Sequence, residues 1–511
     1  MGRRDCQPSQ RACGRGDLRY RCRALTGSRD ARSVEVEMAA GLPCGGAGHR
    51  ILIENSEYWL RNYGDLAMLD VTVRRLQQRW PKARIGIMTE SPALVSAYFP
   101  GAVGITVGDR DPWGSPRAAE RLAAELGPAV VGPAAVAWLR ARAWLLPRAI
   151  RARDRIRRMV GSRVAPPLSA GRTAQVARVL STGGSGGVAV GTETVSRIVT
   201  RHPGAARAVR EASLVLALGG GYLTDADIPQ AGRALELLEY ASDAGIPTAM
   251  VGQGLGPLRD PELRKQAARV LAKLPLIALR ERRRGPALLD SLGVAPDVVT
   301  VTGDDAIELA CDVRKHQVGT DIGVCLRIAE YSPVSRHAQD CVGVAIRRAA
   351  TEFGALLVPL IIAETPGSPD RRTTLPLVRG SANAVAPVGG FVHPSVVAEQ
   401  VTRCRVLVTG AYHLAVFALS HGIPVVGLTS TEYYDDKFLG LADMFGGGIR
   451  LIQLDDSHLG ERLAVAIRDA WGEAETVRDA LRTRADEQAA ASRQAFERLF
   501  ALLERTHVEH V

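Results

Sequence analysis

The sequence predicts an α/β protein with two doubly wound, Rossmann-like halves and a cleft between them. From Arg50 onward, short apolar runs rich in β-branched residues alternate with longer amphipathic stretches, which is the pattern of parallel strands covered by helices on both faces. This alternation restarts after about Val313, and 511 residues are enough for two or more domains. The carboxyl ends of the strands should face the cleft, where such folds bind ligands.

The apolar and amphipathic runs predict the elements of both halves in order. In the first half we expect strands at 51–54, 84–88, 214–218, 248–252, 276–279 and 298–301, and helices at 65–80, 229–244, 261–274 and 284–292. In the second half we expect strands at 321–326, 355–360, 406–408 and 424–427, and helices at 339–353, 393–403 and 413–420.

The same patterns divide the chain into four parts. We expect a disordered basic leader at 1–48, an N-terminal half at 49–313 with an Arg-, Ala- and Pro-rich insertion at about 111–210, a C-terminal half at 314–454 and C-terminal helices at 455–511. Met38 is an alternative start, just before the first strand.

The positive charge is local. Of the net charge of +11, residues 1–50 carry 10 Arg against 5 acidic residues, and residues 116–163 carry 11 Arg against 3, which leaves −2 over the rest. A basic global surface is therefore excluded, and with no aromatic platform or recognition motif we expect no nucleic-acid binding.

Composition also indicates the compartment. No apolar run reaches the roughly 20 residues of a membrane span, and residues 1–17 lack the apolar core of a signal peptide, so we expect a cytoplasmic protein. The 8 cysteines form no C-x-x-C pair and lie near no suitably spaced histidine, so we expect reduced thiols and no metal site.

Segment 138–160 interleaves arginines with bulky apolar residues at near-helical spacing. Two interpretations stay open. It is a helix packed on its own domain with a solvated Arg face, or it makes a peripheral contact with the inner face of the plasma membrane.

Several polar or glycine-rich stretches follow predicted strands. Asn62, Gly64 and Asp65 stand between the first strand and its helix, either as a cap or as ligand-binding groups. Two glycine-rich turns, at 219–221 and 252–257, would let a ligand approach the backbone closely. Neither is a dinucleotide or P-loop fingerprint.

Three further positions could carry chemistry. Arg280, after a short apolar strand, could hold an anion in bidentate fashion, whereas Asp304 and Asp305 are interpreted as helix caps. His413 opens an apolar helix after a strand and a glycine turn, which places a general acid or base at the cleft. His421 is expected on the surface or in a loop.

Together these residues resemble the polysaccharide pyruvyl transferase family. The similarity runs from Ile51 to about Phe445 outside the insertion, over motifs in a common order: Asn62-x-Gly64-Asp65, Gly219-Gly220-Gly221, Gly254-x-Gly256-Pro257, Arg280-Glu281, Asp305, Leu326-Arg327, and His413 followed by Gly422-x-Pro424 and Lys437. The resemblance implies a glycosyltransferase-B-like fold. It also implies transfer of a pyruvyl group from phosphoenolpyruvate, the donor substrate, to two hydroxyls of a glycan or glycolipid sugar, with no further cofactor.

In that chemistry His413 would protonate the methylene carbon of the donor and Arg280 would hold its phosphate or carboxylate. The resemblance implies that the substrate-binding residues are Asn62, Gly64, Asp65, Gly219, Gly220, Gly221, Gln253, Gly254, Arg327, Tyr412 and Lys437. One departure is Ala411, at a position where the family commonly has arginine. Arg327 or Arg282 would then have to supply the charge.

Two alternatives to this function stay open. One is a nucleotide-sugar-dependent glycosyltransferase, and the other, motivated by Ala411, is a catalytically degenerate sugar- or anion-binding relative. The oligomeric state also stays open.

Overall fold

The computed structural model describes residues 48–508 except 56, 139, 142–143, 146–197, 328–333 and 366–367. Residues 1–47 of the predicted leader, most of the predicted insertion, and positions 146–160 of the basic amphipathic segment lie outside the described residues.

The first half contains one parallel sheet. Its strands are β1 (Arg50–Glu54), β2 (Arg84–Met88), β3 (Val103–Ile105), β4 (Leu214–Ala217), β5 (Gly220–Leu223), β6 (Thr248–Leu255), β7 (Ile277–Leu279) and β8 (Val299–Val301). They lie in the order β3-β2-β1-β4-β6-β7-β8, and β5 pairs with β6. The order reverses between β1 and β4, and such a switch point opens a crevice at the carboxyl ends of the strands.

The second half contains a five-stranded parallel sheet. Its strands are β9 (Asp321–Cys325), β10 (Leu357–Pro359), β13 (Cys404–Thr409), β14 (Val425–Thr429) and β15 (Ile449–Gln453), in the order β10-β9-β13-β14-β15. Two short strands, β11 (Glu364–Thr365) and β12 (Ser368–Pro369), form a separate antiparallel pair. Here the order reverses between β9 and β13, so Arg327 and His413 both follow strands at the switch point.

Helices cover both sheets. In the first half they are Tyr63–Arg79, Pro92–Tyr98, Ala118–Leu126, Pro203–Arg210, Ile228–Asp243, Pro261–Leu271, Gly285–Ser291 and Ala306–Asp312. In the second half they are Arg336–Phe353, Asp370–Val378, Pro394–Val401, Tyr412–His421 and Glu432–Phe445. The chain then forms one helix of 50 residues, Leu459–Val508, where the sequence predicted several.

One continuous apolar core joins the halves. The helices Tyr63–Arg79, Ala306–Asp312 and Tyr412–His421 all contribute fully buried side chains to it, together with Phe496 and Leu499 of the last helix. Polar contacts accompany this packing, since Arg75 donates to Ser492 and to Glu308. The last helix therefore packs back onto the first half, and burial of this size is the main stabilising term in folding.

The glycine-rich stretches differ from prediction. β6 was expected to end at Gly252, but it continues to Leu255 because β5 supplies a second parallel neighbour, with Gly220 opposite Gln253 and Leu223 opposite Leu255. Residues 219–221 were expected to be a turn, and Gly220 and Gly221 instead begin β5. The crossing at Gly219 needs a glycine, since a Cβ there would lie 2.6 Å from the carbonyl oxygen of Gly252.

His421 was placed on the surface or in a loop, and this prediction was wrong. It lies in the last turn of the helix Tyr412–His421, is buried, and bonds through Nε2 to the carbonyl oxygen of Ala398. Burial lowers the pKa of His421 to about 3, so the ring is a neutral part of the core.

Candidate active site

A cavity of about 240 Å³ opens where the carboxyl ends of β1, β7, β9 and β13 meet. Eight of the residues predicted for the site line it: Asn62, Asp65, Gly221, Arg280, Arg327, Tyr412, His413 and Lys437. They come from both halves of the chain, so the topology brings most of the predicted set together.

Three predicted residues lie behind the cavity. Gln253 is fully buried and its Nε2 donates to the carbonyl oxygen of Leu218 and to the hydroxyl of Tyr222. Gly219 and Gly220 lie beside it, at the crossing of β4, β5 and β6. The Nε2 of Gln253 is used to join neighbouring strands, and its side chain does not line the cavity.

Two predicted glycines act through the side chains packed on them. A Cβ at Gly64 would lie 2.0 Å from both Cγ and Nδ1 of His413, and a Cβ at Gly254 would lie 2.5 Å from Nε of Arg280. Neither glycine lines the main cavity. Each leaves the space in which a side chain predicted to be catalytic lies.

His413 is held from three sides. Its helix begins at Tyr412, whose ring meets the imidazole edge to face at 5.3 Å between centroids. Gly64 packs against the ring, and Nε2 lies 3.6 Å from Oδ2 of the buried Asp304. Asp304 also caps the amide of Ala306 through Oδ1. The capping interpretation of Asp304 is therefore correct for one oxygen, while the other faces the histidine.

Arg280 is almost fully buried beside the same carboxylate. Its Nη1 lies 3.5 Å from Oδ2 of Asp304, and its guanidinium lies 4.3 Å from the centroid of the Tyr412 ring. A Cβ at Gly221 would lie 2.9 Å from Nη2. A planar guanidinium stacked on an aromatic ring keeps a fixed orientation towards an anion.

Two more cationic side chains, those of Lys437 and Arg327, line the same cavity. The Nζ of Lys437 lies 4.1 Å from the centroid of the Tyr433 ring, and a Cβ at Gly221 would lie 3.0 Å from that Nζ. Nη1 of Arg327 lies 3.6 Å from Oδ2 of Asp370. Arg280, Arg327, Lys437 and His413 thus share one cavity.

Burial and neighbouring positive charges lower the pKa values of His413 and Lys437. Burial, followed by the positive charges of Arg280, Lys437 and Arg327, holds the pKa of His413 well below its usual value. Removal from water, then Arg280 and Arg327, likewise lowers the pKa of Lys437. Burial raises the pKa of Asp304 to about 6. These cationic side chains therefore disfavour one another's positive charge, and an anion beside them would oppose that effect.

Part of the cavity lining was not predicted from the sequence. It contains polar groups suited to hydrogen bonding, among them Glu57, Thr224, Asp227, Gln230 and Tyr434. Asp227 caps the helix Ile228–Asp243 by accepting from the amide of Gln230. The cap signal, an aspartate two residues before Pro229, was visible in the sequence, but nothing local indicated that this helix begins at the cavity.

A model of the family described as polysaccharide pyruvyl transferase matches residues 62–432 of the sequence. The chain belongs to this family. The matched region includes most of the cavity wall, from Asn62 to His413. A search of curated proteins finds no significant match.

Solved structures resemble this member of the family in fold. MnaA of S. aureus, solved with UDP, is 11% identical and has a TM-score of 0.50, over 89% of this chain and 97% of that one. The UDP-GlcNAc 2-epimerase of Neisseria meningitidis is 11% identical, with a TM-score of 0.47 over 89% and 100%. The glycotransferase of kitacinnamycin is 13% identical, with a TM-score of 0.44 over 90% and 99%. The fold is glycosyltransferase-B-like.

Ala411 stands where the family resemblance led us to expect an arginine. It is buried, lines the cavity and precedes Tyr412. Of the two arginines named as substitutes, Arg327 lines the same cavity, whereas Arg282 is exposed and does not. Arg327 is therefore the better placed of the two.

Proposed function

We propose that the protein transfers a pyruvyl group from phosphoenolpyruvate to two hydroxyls of a sugar in a cell-surface polysaccharide or glycolipid precursor. The product is a cyclic ketal, and phosphate is released. The observation that carries the proposal is the convergence of Arg280, Arg327 and Lys437 with His413 on one cavity. Asp304 and Asp370 offset part of the charge of Arg280 and Arg327. The cations still lower the pKa values of His413 and Lys437, so an anionic ligand would stabilise the group. The proposed donor carries both a carboxylate and a phosphate.

The reaction begins with a proton from the His413 ring. The π electrons of the donor's double bond form a new C–H bond at the methylene carbon, and the central carbon becomes an oxocarbenium centre. The first hydroxyl oxygen adds to that carbon, and the bond to the phosphate oxygen then breaks. The second hydroxyl closes the ring. Of the two protons that the hydroxyls lose, one returns to His413 and one leaves with phosphate.

His413 must be protonated to act as the acid, whereas the cations around it favour the neutral ring. Donor binding resolves this conflict. The negative charge of the donor offsets the positive charges of Arg280 and Lys437, and the pKa of His413 therefore rises. Asp304, 3.6 Å from Nε2, also favours the imidazolium. We therefore expect phosphoenolpyruvate to bind together with a proton.

The polar residues that line the rest of the cavity support a neutral sugar as acceptor. Thr224, Asp227 and Gln230 offer hydroxyl, carboxylate and amide groups at the start of one helix. These groups accept from and donate to sugar hydroxyls, and the carboxylate disfavours a second anion at this end of the cavity.

Calorimetry with phosphoenolpyruvate on the full chain tests the donor without any acceptor. Titrations in buffers of different ionisation enthalpy should reveal proton uptake near pH 7.5, and His413→Ala should abolish that uptake. His458→Ala, which removes an exposed histidine, is the matched control and should leave it unchanged.

Phosphate release then tests the transfer. We expect release from phosphoenolpyruvate that depends on methyl hexosides or on lipid-linked saccharides and is lost in His413→Ala. Binding of a UDP-sugar without binding of phosphoenolpyruvate would instead favour a glycosyltransferase. Binding of phosphoenolpyruvate without turnover, with activity appearing only in Ala411→Arg, would indicate a degenerate site.

A further inference from the structure

Exposed apolar side chains are concentrated in one short interval. Among the described residues, twelve large apolar side chains are exposed, and six of them lie between residues 122 and 145. Each of the six is 48–66% exposed, and we call them the Trp138 face: Leu122, Leu126, Val130, Trp138, Trp144 and Leu145. Scattered exposed apolar residues are ordinary, but six within 24 residues of sequence, two of them tryptophans, indicate an interaction surface.

The interval that carries this face is held against the rest of the molecule. Ala123 of the helix Ala118–Leu126 is buried, and Val131 and Val136 pack on the main core. A Cβ at Gly132 would overlap the ring of Phe391, so the helical residues 128–138 contact the second half closely. The interval therefore buries one side and keeps the Trp138 face outward.

The contact between Gly132 and Phe391 is connected to the cavity through Tyr63. The amide of Phe391 donates to the hydroxyl of Tyr63 at 2.7 Å. Tyr63 begins the helix whose cap, Asn62, lines the cavity. A surface that docks through the Trp138 face would thus be tied to the cavity through Gly132, Phe391 and Tyr63.

The amino-acid sequence that carries and follows the face is basic, and this composition indicates its partner. Residues 116–163 contain 11 Arg and 3 acidic residues, with eight of these arginines at positions outside the described residues. Among the described residues, Arg140 is exposed and lies between the two tryptophans in sequence. Tryptophan and leucine beside arginine are the composition of surfaces that lie in the headgroup region of anionic bilayers. Among the described residues, none of the helices has the length and apolar character to cross a bilayer, so such a contact would be peripheral.

We propose that the Trp138 face docks on the surface of an anionic lipid bilayer. Trp138, Trp144 and Leu145 enter the headgroup region while arginine pairs with lipid phosphate. The earlier alternative, a segment packed on its own domain, leaves the exposure of these three side chains unexplained. The proposal does not depend on pyruvyl transfer, because the face is separate from the residues that line the cavity.

Binding of the full chain to lipid vesicles, without any substrate, tests the proposal that the Trp138 face docks on a bilayer. The probes are vesicles of phosphatidylcholine alone and of phosphatidylcholine with phosphatidylglycerol. We expect sedimentation with the anionic vesicles only, weakened by salt. Quenching of tryptophan fluorescence by brominated lipid should accompany it.

Two sets of variants locate the contact. Trp138→Ser with Trp144→Ser should weaken vesicle binding by about tenfold or more, since affinity scales with buried apolar area. The control replaces three exposed valines elsewhere, Val344, Val396 and Val465, with serine and should bind as the unchanged protein does.

Three outcomes would overturn the proposal. The first is no binding to anionic vesicles by a folded protein, and the second is binding unchanged by loss of both tryptophans. The third is a dimer in vesicle-free solution that dissociates when they are lost, which would make the Trp138 face an interface between copies of this chain.

Discussion

Gly64→Ala removes no functional group, yet it should disable the active site. Gly64 is the second residue of the helix Tyr63–Arg79, where alanine is normally the better helix former by about 1 kcal/mol. Here the added Cβ would lie 2.0 Å from Cγ and Nδ1 of His413. Carbon atoms in ordinary contact are about 3.5–4.0 Å apart, so the imidazole or the helix must move by roughly 1.5 Å.

The size of this shift determines how much activity and stability we expect Gly64→Ala to lose. Moving the ring by that distance changes its separation from Asp304, now 3.6 Å from Nε2. A misplacement of about 1 Å at a reacting group costs about 100-fold in rate, so kcat should fall by about that factor or more. Overpacking costs about 1–3 kcal/mol and is partly offset by the helix preference, so the free energy of unfolding should fall by no more than about 2 kcal/mol.

The assay compares phosphate release and thermal unfolding in Gly64→Ala and in Gly472→Ala. Gly472 lies inside the helix Leu459–Val508, and no atom lies within 4 Å of the position that a Cβ would take. The control substitution should stabilise the protein by up to about 1 kcal/mol and leave kcat unchanged. Full activity in Gly64→Ala, with the protein folded, would refute the placement of His413 against this helix.

Three more predictions follow from burial and charge. Burial raises the pKa of Glu54 to about 7, so the native state holds its proton more tightly than the unfolded state, and stability should fall as pH rises. Relative to Glu54→Gln, the unchanged protein should lose about 2–3 kcal/mol of unfolding free energy between pH 5 and 8 in denaturant titrations; equal slopes would contradict this. Arg327→Ala should weaken phosphoenolpyruvate binding by about 10- to 100-fold in calorimetry, while Arg282→Ala should not, and equal effects would exclude a special role for Arg327. Asp304→Asn should shift the loss of kcat with rising pH to lower pH, because the protonated His413 loses a neighbouring negative charge; an unchanged pH profile would show that this carboxylate does not act on the histidine.

Local sequence patterns predicted most of the two sheets. Strands such as β1 and β2 are continuous apolar runs, as expected of strands buried on both faces. β3 and β15 were missed for different reasons. β3 has only three residues, one of them Gly104, and β15 follows three consecutive glycines and is only partly buried. Neither carries the apolar signal on which the prediction relied.

The sequence predicted eight of the residues that line the cavity, but not the contacts that they make there. Polar side chains after strands were identified because parallel strands end at one edge of a sheet. The pairing of His413 with Asp304, and the packing of Gly64 on His413, join distant parts of the chain through both halves of the fold. A local pattern carries no information on such contacts, so Asp304 was interpreted only as a cap.

Backbone hydrogen bonds join the two halves of the fold beside the candidate active site. The amide of Tyr63 donates to the carbonyl oxygen of Ile362 at 2.8 Å, and the amide of Glu364 donates to that of Arg61 at 2.8 Å. These backbone bonds flank Asn62, which pairs with Ala363 as an isolated bridge. Because this bridge and the continuous core hold both cavity walls together, His413 and Gly64 are already in contact before a donor binds. For the proposed reaction, this arrangement favours a preorganised site: binding of the donor would supply negative charge and a proton, with little movement of one half against the other.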